Sequence, residues 1–216
     1  MMKKEKRGLL LAGVCLLAAF ALWTALVCLV DVQAIGPRGS SVGFAEMNGY
    51  VHRLTGVHMS LYTLTDWLGL LPIGVVLGFA ILGLVQWIKR KRFLKVDRSI
   101  LALGIFYIVV LTAFVFFETA VVNYRPVLIN GVLEASYPSS TTLLVMCVMP
   151  TAIMQFNHRI KHRMLRAVVA FAIVAFIAFT VMGRLLSGVH WITDIIGGAL
   201  LSAGFVLIYR FACDEG

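Results

Sequence analysis

Residues 167–194 read AVVAFAIVAFIAFTVMGRLLSGVHWITD. The first part of this stretch, residues 167–183, is apolar and just long enough to cross a bilayer, which takes about 17–25 residues. Arg184, His190 and Asp194 follow directly. Ionisable groups beside a membrane-spanning run are costly, so they mark a functional site by default. The stretch therefore predicts a transmembrane helix that ends in a site.

The spacing of the three ionisable residues predicts their chemistry. His190 and Asp194 are four positions apart, so on a helix they share one face and lie within hydrogen-bonding reach. A carboxylate that holds one imidazole nitrogen leaves the other free to act as nucleophile or base. Arg184 adds a planar, permanently charged guanidinium that suits phosphate oxygens. Together they indicate chemistry on a phosphate group at a membrane surface.

The composition of the whole chain assigns its class. Of 216 residues, 61% are apolar and only 13% are charged, which is far too apolar for a soluble domain of this size. We therefore predict an all-α, polytopic membrane protein of six helices, with a single domain over residues 1–216. The six runs able to span are residues 8–30, 66–88, 99–120, 140–156, 167–183 and 190–210.

The basic residues predict the orientation of the six helices. The net charge is +9, but fifteen of the 19 lysines and arginines fall before the first run, after the last run or in alternate loops. This bias places both termini in the cytoplasm and argues against nucleic-acid binding; the basic loops would contact membrane lipids instead. The fifteen are Lys3, Lys4, Lys6, Arg7, Lys89, Arg90, Lys91, Arg92, Lys95, Arg98, Arg159, Lys161, Arg163, Arg166 and Arg210.

Three segments lie on the opposite, outer side: residues 31–65, 121–139 and 184–189. The first contains an amphipathic portion, roughly residues 44–61, which we expect to lie flat on the headgroups or to pack over the bundle; a substrate gate is the alternative. The fourth run opens with a group of hydroxyl residues that either cap the helix or, with its free N–H groups, form an anion cradle.

Three short motifs on this outer side resemble those of the type-2 phosphatidic acid phosphatases, a family related to the vanadium haloperoxidases. The family motifs are commonly written K-x6-R-P, P-S-G-H and S-R-x5-H-x3-D. The resemblance covers residues 118–194, and the six-span layout with outward motifs fits the rest. The matching residues, with both spacings of the third motif intact, are Arg125-Pro126, Pro138-Ser139 and Gly183-Arg184 followed by His190 and Asp194.

The resemblance implies a role for each matched residue. His190 would be the nucleophile that attacks phosphorus, and Asp194 would orient its imidazole. Such enzymes typically need no metal, so neither a metal nor a cofactor is expected. The phosphate oxygens would be held by the two arginines and the helix start, namely Arg125, Arg184, Ser139, Ser140 and Thr141.

The chain also departs from the family pattern. The family lysine is Glu118, and the family serine before the second arginine is Gly183. The glycine and histidine of the second motif are Ser140 and Thr141. That histidine is understood to protonate the leaving alkoxide, and general acid catalysis is typically worth about 10²–10⁴ in rate. A threonine cannot replace it, because its hydroxyl does not titrate usefully near neutral pH.

Two hypotheses accommodate the missing acid. His52 or His58, on or beside the amphipathic portion, would supply a substitute; both would otherwise be interfacial polar residues. Alternatively, the substrate is a lipid diphosphate, such as a polyprenyl diphosphate, whose phosphate leaving group needs less protonation than an alkoxide. Glu118 is expected to form an ion pair with Arg125 or Arg184 rather than to act in catalysis.

We therefore predict a phosphatase of lipid phosphates or lipid diphosphates in a bacterial cytoplasmic membrane, with an outward-facing site and a phosphohistidine intermediate. A catalytically degenerate protein that binds or transports lipid phosphates is the rival, and the missing histidine favours it. An intramembrane serine protease that uses Ser139 or Ser140 with His190 is a further alternative, but it would leave both arginines and Asp194 without a role.

Overall fold

The computed structural model describes residues 2–213; Met1 and residues 214–216, which the predicted single domain includes, lie outside them. Within the described range the regular elements are α-helices and two short 3₁₀ turns, with isolated bridges but no strands. The helices are α1 Met2–Leu29, α2 Ala45–Thr55, α3 Met59–Leu68, α4 Leu70–Arg90, α5 Arg98–Thr119, α6 Ser140–Arg159, α7 Arg163–Leu186 and α8 Ile192–Cys213.

The prediction of an all-α protein with six membrane-spanning helices is confirmed. Six stretches are long and apolar enough to cross a bilayer, and the second of them, Met59–Arg90, combines α3 and α4. In lipid, only a helix or a closed barrel satisfies every backbone N–H and C=O group. The fourth and fifth spans are longer than predicted, at 20 and 24 residues. The cytoplasmic placement of the termini stays a prediction.

The amphipathic portion predicted over residues 44–61 is not one helix. α2 ends at Thr55, and the chain turns at Gly56, whose φ of 65° lies in the left-handed region. His58 then donates its backbone N–H to the carbonyl of Ser187, 3.0 Å away, before α3 begins. α2 packs over the start of α8, where Asn48 Nδ2 donates to Thr193 Oγ1 at 3.0 Å.

α6 and α8 form the centre of the bundle. In each, 56% of the most apolar window is buried inside the protein, whereas the other four spans bury 22% or less and face lipid. α1 runs antiparallel to α8: Trp23 Nε1 donates to the carbonyl of Thr193 at 3.1 Å, while Gly204 meets Leu17 farther along. Small residues allow such close helix contacts in membranes.

The alternation of six spans brings the starts of α6 and α8 and the ends of α5 and α7 to one end of the bundle. The other end carries the basic loops, where Asp97 accepts from Arg90 at 2.9 Å and from Gln86 at 2.8 Å. The hydrogen bond from Arg90 lowers the pKa of Asp97 below its usual range. The three family-like motifs therefore share the end opposite to these loops.

Candidate active site

The imidazole of His190 is held by a serine as well as by the predicted carboxylate. His190 lies in the loop before α8, and its side chain is 1% exposed. Its Nδ1 lies 3.0 Å from Ser136 Oγ, and Ser136 Oγ donates to Asp194 Oδ2. Since the single serine proton goes to the carboxylate, the serine oxygen accepts from Nδ1–H. The direct distance from Nδ1 to Oδ2 is 3.7 Å.

The prediction that His190 and Asp194 share one face of a helix is wrong. α8 begins at Ile192, so only Asp194 lies on the helix. Its Oδ2 also accepts from the backbone N–H of Trp191 at 2.9 Å, as a carboxylate in the first turn of a helix commonly does. The two residues are neighbours because the loop folds back over the helix start, and Ser136 bridges them.

The other imidazole nitrogen faces an arginine. Arg184 Nη2 lies 3.2 Å from His190 Nε2. A guanidinium can only donate, so Nε2 accepts and carries no proton. Burial, followed by the charges of Arg184 and Arg125, holds the pKa of His190 well below its usual value. The imidazole is therefore neutral near pH 7, with its proton on Nδ1 and a lone pair on Nε2.

The two arginines of the motifs are buried against one aromatic ring. Arg184 is 1% exposed and Arg125 is 7% exposed. Their guanidinium carbons lie 5.0 Å and 5.8 Å from the centre of the Tyr62 ring. Arg184 Nε and Arg125 Nη1 are buried and find no hydrogen-bond partner among residues 2–213. Buried charged donors without acceptors suit an anionic ligand next to His190 Nε2.

The carboxylates that pair with these arginines are not the predicted one. Glu134 Oε2 lies 3.1 Å from Arg125 Nε, and Asp66 Oδ1 lies 3.5 Å from Arg184 Nη1. The expected ion pair of Glu118 with either arginine is therefore wrong for the part of the chain that the structure describes. Glu118 is exposed and lines a small cavity beside Ser136.

The start of α6 combines a helix cap with part of the site. Ser139 is fully buried, and its Oγ accepts from Thr142 Oγ1 at 3.0 Å and from the Thr142 N–H at 3.4 Å. The backbone N–H of Ser139 donates to the carbonyl of Asp194 at 3.1 Å, which ties α6 to α8. Ser140 lines the cavity beside Ser136, and Thr141 is 8% exposed. Phosphate contacts by these hydroxyls stay a prediction.

His52 and His58 hold the loop that carries His190. His52 Nε2 donates to the carbonyl of Gly188 at 3.1 Å, so this nitrogen serves an anchoring bond. His58 is exposed and contacts the loop through its backbone. Gly188 has a φ of 67°, and a Cβ there would lie 1.8 Å from the carbonyl oxygen of Gly56. The contacts of both histidines are therefore positional, and a role of either as the acid stays a prediction.

Sequence reasoning missed four residues of this pocket: Tyr62, Asp66, Glu134 and Ser136. Asp66 carries a visible signal, because it is an acidic residue within the apolar span Met59–Arg90. Ser136 carries none, since serines are common in loops and it lies 54 positions from its histidine partner. The predicted Arg125, Arg184, His190 and Asp194 do come together.

The fold and the site define a polytopic helical membrane protein in which two buried arginines surround a buried histidine. Residues 118–213, which hold all three motifs, match the model of the PAP2 superfamily. This match supports an assignment to the superfamily, and the chain departs from the family pattern at Glu118, Ser140, Thr141 and Gly183.

A solved structure shares the fold. A transmembrane PAP2-type phosphatidylglycerolphosphate phosphatase from Bacillus subtilis superposes with a TM-score of 0.58 at 17% identity, over 92% of this chain and 94% of that one. A comparison with curated proteins gives no match. The structural match shows the shared fold, and the match to the superfamily model supports a lipid phosphatase in general terms.

Proposed function

We propose that the protein hydrolyses a lipid phosphate or lipid diphosphate at the outer face of a bacterial cytoplasmic membrane, through a phosphohistidine on His190. The observation that carries the proposal is the position of the proton on the imidazole. Ser136, backed by Asp194, accepts the hydrogen bond from Nδ1–H, and the lone pair on Nε2 faces Arg184 Nη2 at 3.2 Å. A nucleophile beside a phosphate-binding cation is the arrangement that phosphoryl transfer requires.

In the first step, the Nε2 lone pair attacks the terminal phosphorus and the bond from phosphorus to the leaving oxygen breaks. The leaving group takes the bonding electrons. Arg184 and Arg125, both buried, donate to the phosphoryl oxygens and stabilise their charge. The imidazole gains positive charge as the P–N bond forms, and the hydrogen bond from Nδ1–H to Ser136, backed by Asp194, stabilises that charge.

A diphosphate is the substrate that best fits Thr141. Departure of a phosphate needs little protonation, whereas an alkoxide leaves slowly without the roughly 10²–10⁴-fold help of a general acid. An apolar groove of about 720 Å³ between α4, α5 and α6 runs from Ile73 to Phe93 and suits a long lipid tail. The apolar lining of this groove supports a substrate with a polyprenyl tail.

The outward orientation is supported by the distribution of charge. The site lies at the end of the bundle opposite to the basic loops around residues 89–98 and 159–166. Basic loops remain in the cytoplasm during insertion. A cysteine placed at exposed Tyr50, beside the site, should react with an impermeant thiol reagent in intact cells, whereas one at exposed Leu94 should not; the reverse pattern contradicts the orientation.

The central experiment is trapping of the phosphoenzyme. Detergent-purified protein is mixed with farnesyl diphosphate labelled in the terminal phosphate, or with labelled phosphatidic acid, and is denatured within the first turnover. We expect label bound to the protein that is stable to alkali and labile to acid, and that is absent from His190→Ala. His158→Ala, at the opposite end of α6, is the matched control and should label normally.

The rival function is a lipid-phosphate binder or transporter that has lost catalysis. Thr141 in place of the motif histidine is the observation that favours it. Such a protein would bind the lipid phosphate in an Arg184-dependent manner but would form no phosphoenzyme and release no phosphate. Intact binding without labelling would therefore establish the rival and exclude the phosphatase.

A further inference from the structure

A carboxylate lies on the reactive face of the imidazole. Asp66 belongs to α3, within the apolar span Met59–Arg90, and its side chain is 59% exposed. Its Oδ1 lies 3.5 Å from Arg184 Nη1, while Nη2 of the same guanidinium lies 3.2 Å from His190 Nε2. One guanidinium thus connects the carboxylate to the attacking nitrogen.

The end of α3 also contacts the position of the missing histidine. A Cβ on Gly69, the residue between α3 and α4, would lie 3.6 Å from Thr141 Cγ2 and 2.9 Å from the Asp66 carbonyl oxygen. The residue that follows α3 therefore lies beside the first turn of α6. Asp66 lies in α3, and the end of α3 is next to Thr141, the position of the histidine in the family's second motif.

The other carboxylates near the site are engaged elsewhere. Asp194 is fully buried behind the Nδ1 side of the ring. Glu134 pairs with Arg125 at 3.1 Å. Glu118 lines the cavity beside Ser136, which is again the Nδ1 side. Among the carboxylates of residues 2–213, Asp66 is the one joined to the Nε2 side through Arg184.

We propose that Asp66 is the general base that activates water for hydrolysis of the phosphohistidine. The inference rests on the proposed function, because it concerns the second half of that reaction. The Asp66 side chain is paired with a guanidinium and more than half exposed. A carboxylate can accept a proton from water, so it suits water activation.

The step balances as follows: the Asp66 carboxylate takes one proton from a water molecule, whose oxygen attacks the phosphorus bound to Nε2. The P–O bond forms, the P–N bond breaks, and its electron pair returns to Nε2. Inorganic phosphate leaves, the neutral His190 is restored, and Asp66 releases its proton to solvent. Arg184, next to both groups, holds the phosphoryl oxygens throughout.

The test separates the two halves of the reaction with farnesyl diphosphate labelled in its terminal phosphate. In Asp66→Asn we expect a normal burst of phosphoenzyme, about one per active site, followed by hydrolysis slowed by about 10²-fold. Asp66→Glu should keep a rate within about tenfold of the parent, and added formate should partly restore hydrolysis in Asp66→Asn. Glu46→Gln, an exposed carboxylate on α2, is the control and should turn over normally.

Each outcome decides one of the two claims. If the parent protein forms no His190-dependent phosphoenzyme, the proposed function is wrong and the role of Asp66 falls with it. If Asp66→Asn hydrolyses its phosphoenzyme at the parental rate, the base is not Asp66 and the function stands. If Asp66→Asn forms the phosphoenzyme slowly but hydrolyses it normally, Asp66 only positions Arg184, and the inference is overturned.

Discussion

The two faces of the His190 imidazole are built differently. On the Nδ1 face, Ser136 and Asp194 are buried at 3% and 0% exposure, and the hydrogen-bonded chain runs without a gap from ring to carboxylate. On the Nε2 face, the pocket opens to an exposed Asp66, and Thr141 stands where the family has histidine. In the proposed reaction the nucleophile is thus oriented and unprotonated at Nε2, whereas the histidine that protonates the leaving group in the family pattern is replaced by Thr141. This combination favours a substrate whose leaving group departs without a proton donor.

Among changes on the Nδ1 face of the imidazole, Asp194→Asn is expected to have the largest effect. An amide can donate to Ser136, which reverses the hydrogen-bonded chain and leaves Nδ1 as an acceptor, so that the proton moves to Nε2. In a serine-protease triad the equivalent change of tautomer costs about 10⁴ in rate. We expect phosphoenzyme formation to fall by about 10³-fold, measured by rapid quench.

The folded state of Asp194→Asn serves as its control, checked by thermal unfolding in detergent and by Arg184-dependent lipid binding. A loss of less than about tenfold in a folded variant would mean that the carboxylate does not set the tautomer.

Gly188→Ala should disturb the same face through the backbone. A Cβ at Gly188 would lie 1.8 Å from the carbonyl oxygen of Gly56, and φ is 67°. The loop must move, and a shift of about 1 Å at the nucleophile can cost about 10²-fold in rate. Gly131→Ala is the matched control: its φ is 77°, but nothing lies within 4 Å of the added carbon. It should cost only the about 1–2 kcal/mol of left-handed strain in the free energy of unfolding.

Ser136→Ala tests whether the bridge is needed. Without the hydroxyl, Nδ1 and Asp194 Oδ2 remain 3.7 Å apart, too far for a good hydrogen bond. We expect a loss of at most about 10²-fold in phosphoenzyme formation, since the imidazole keeps its position but loses its partner. Ser202→Ala removes another buried hydroxyl, one that bonds only within the bundle, and should react normally. Equal losses in both variants would assign Ser136 a purely structural role.

The fold was largely predictable because hydropathy and charge act over whole helices. The six spans follow from the cost of exposing backbone and charge to lipid. Local breaks were not predictable, since the turn at Gly56 depends on its contact with Gly188.

The candidate site was predictable only in part. Arg184, His190 and Asp194 share one motif. Ser136 reaches the imidazole from 54 positions away, and Asp66 reaches Arg184 from 118 positions away. Nothing in local spacing encodes such contacts.

Thr141→His tests the role of the missing histidine on the Nε2 face of the imidazole. The change restores an ionisable group beside the end of α3, where Gly69 lies near Thr141. Because an alkoxide needs protonation and a phosphate does not, hydrolysis of phosphatidic acid should rise by about tenfold or more, and hydrolysis of farnesyl diphosphate much less. The ratio of the two kcat/KM values is the measurement. Equal gains on both substrates would contradict the preference for a diphosphate.

The smallest effect concerns pH. Burial and the charges of Arg184 and Arg125 hold the pKa of His190 well below its usual value. Protonation of the nucleophile should therefore limit phosphoenzyme formation only at pH values well below the ordinary pKa of an imidazole. Arg125→Gln removes one of those charges and should raise the pKa of His190, which moves the acidic limb of kcat/KM to higher pH. The substrate ionises identically for both proteins, so the difference between their profiles reports on the imidazole alone. A limb that stays in place, or that moves to lower pH, would mean that Arg125 does not act on the nucleophile through its charge.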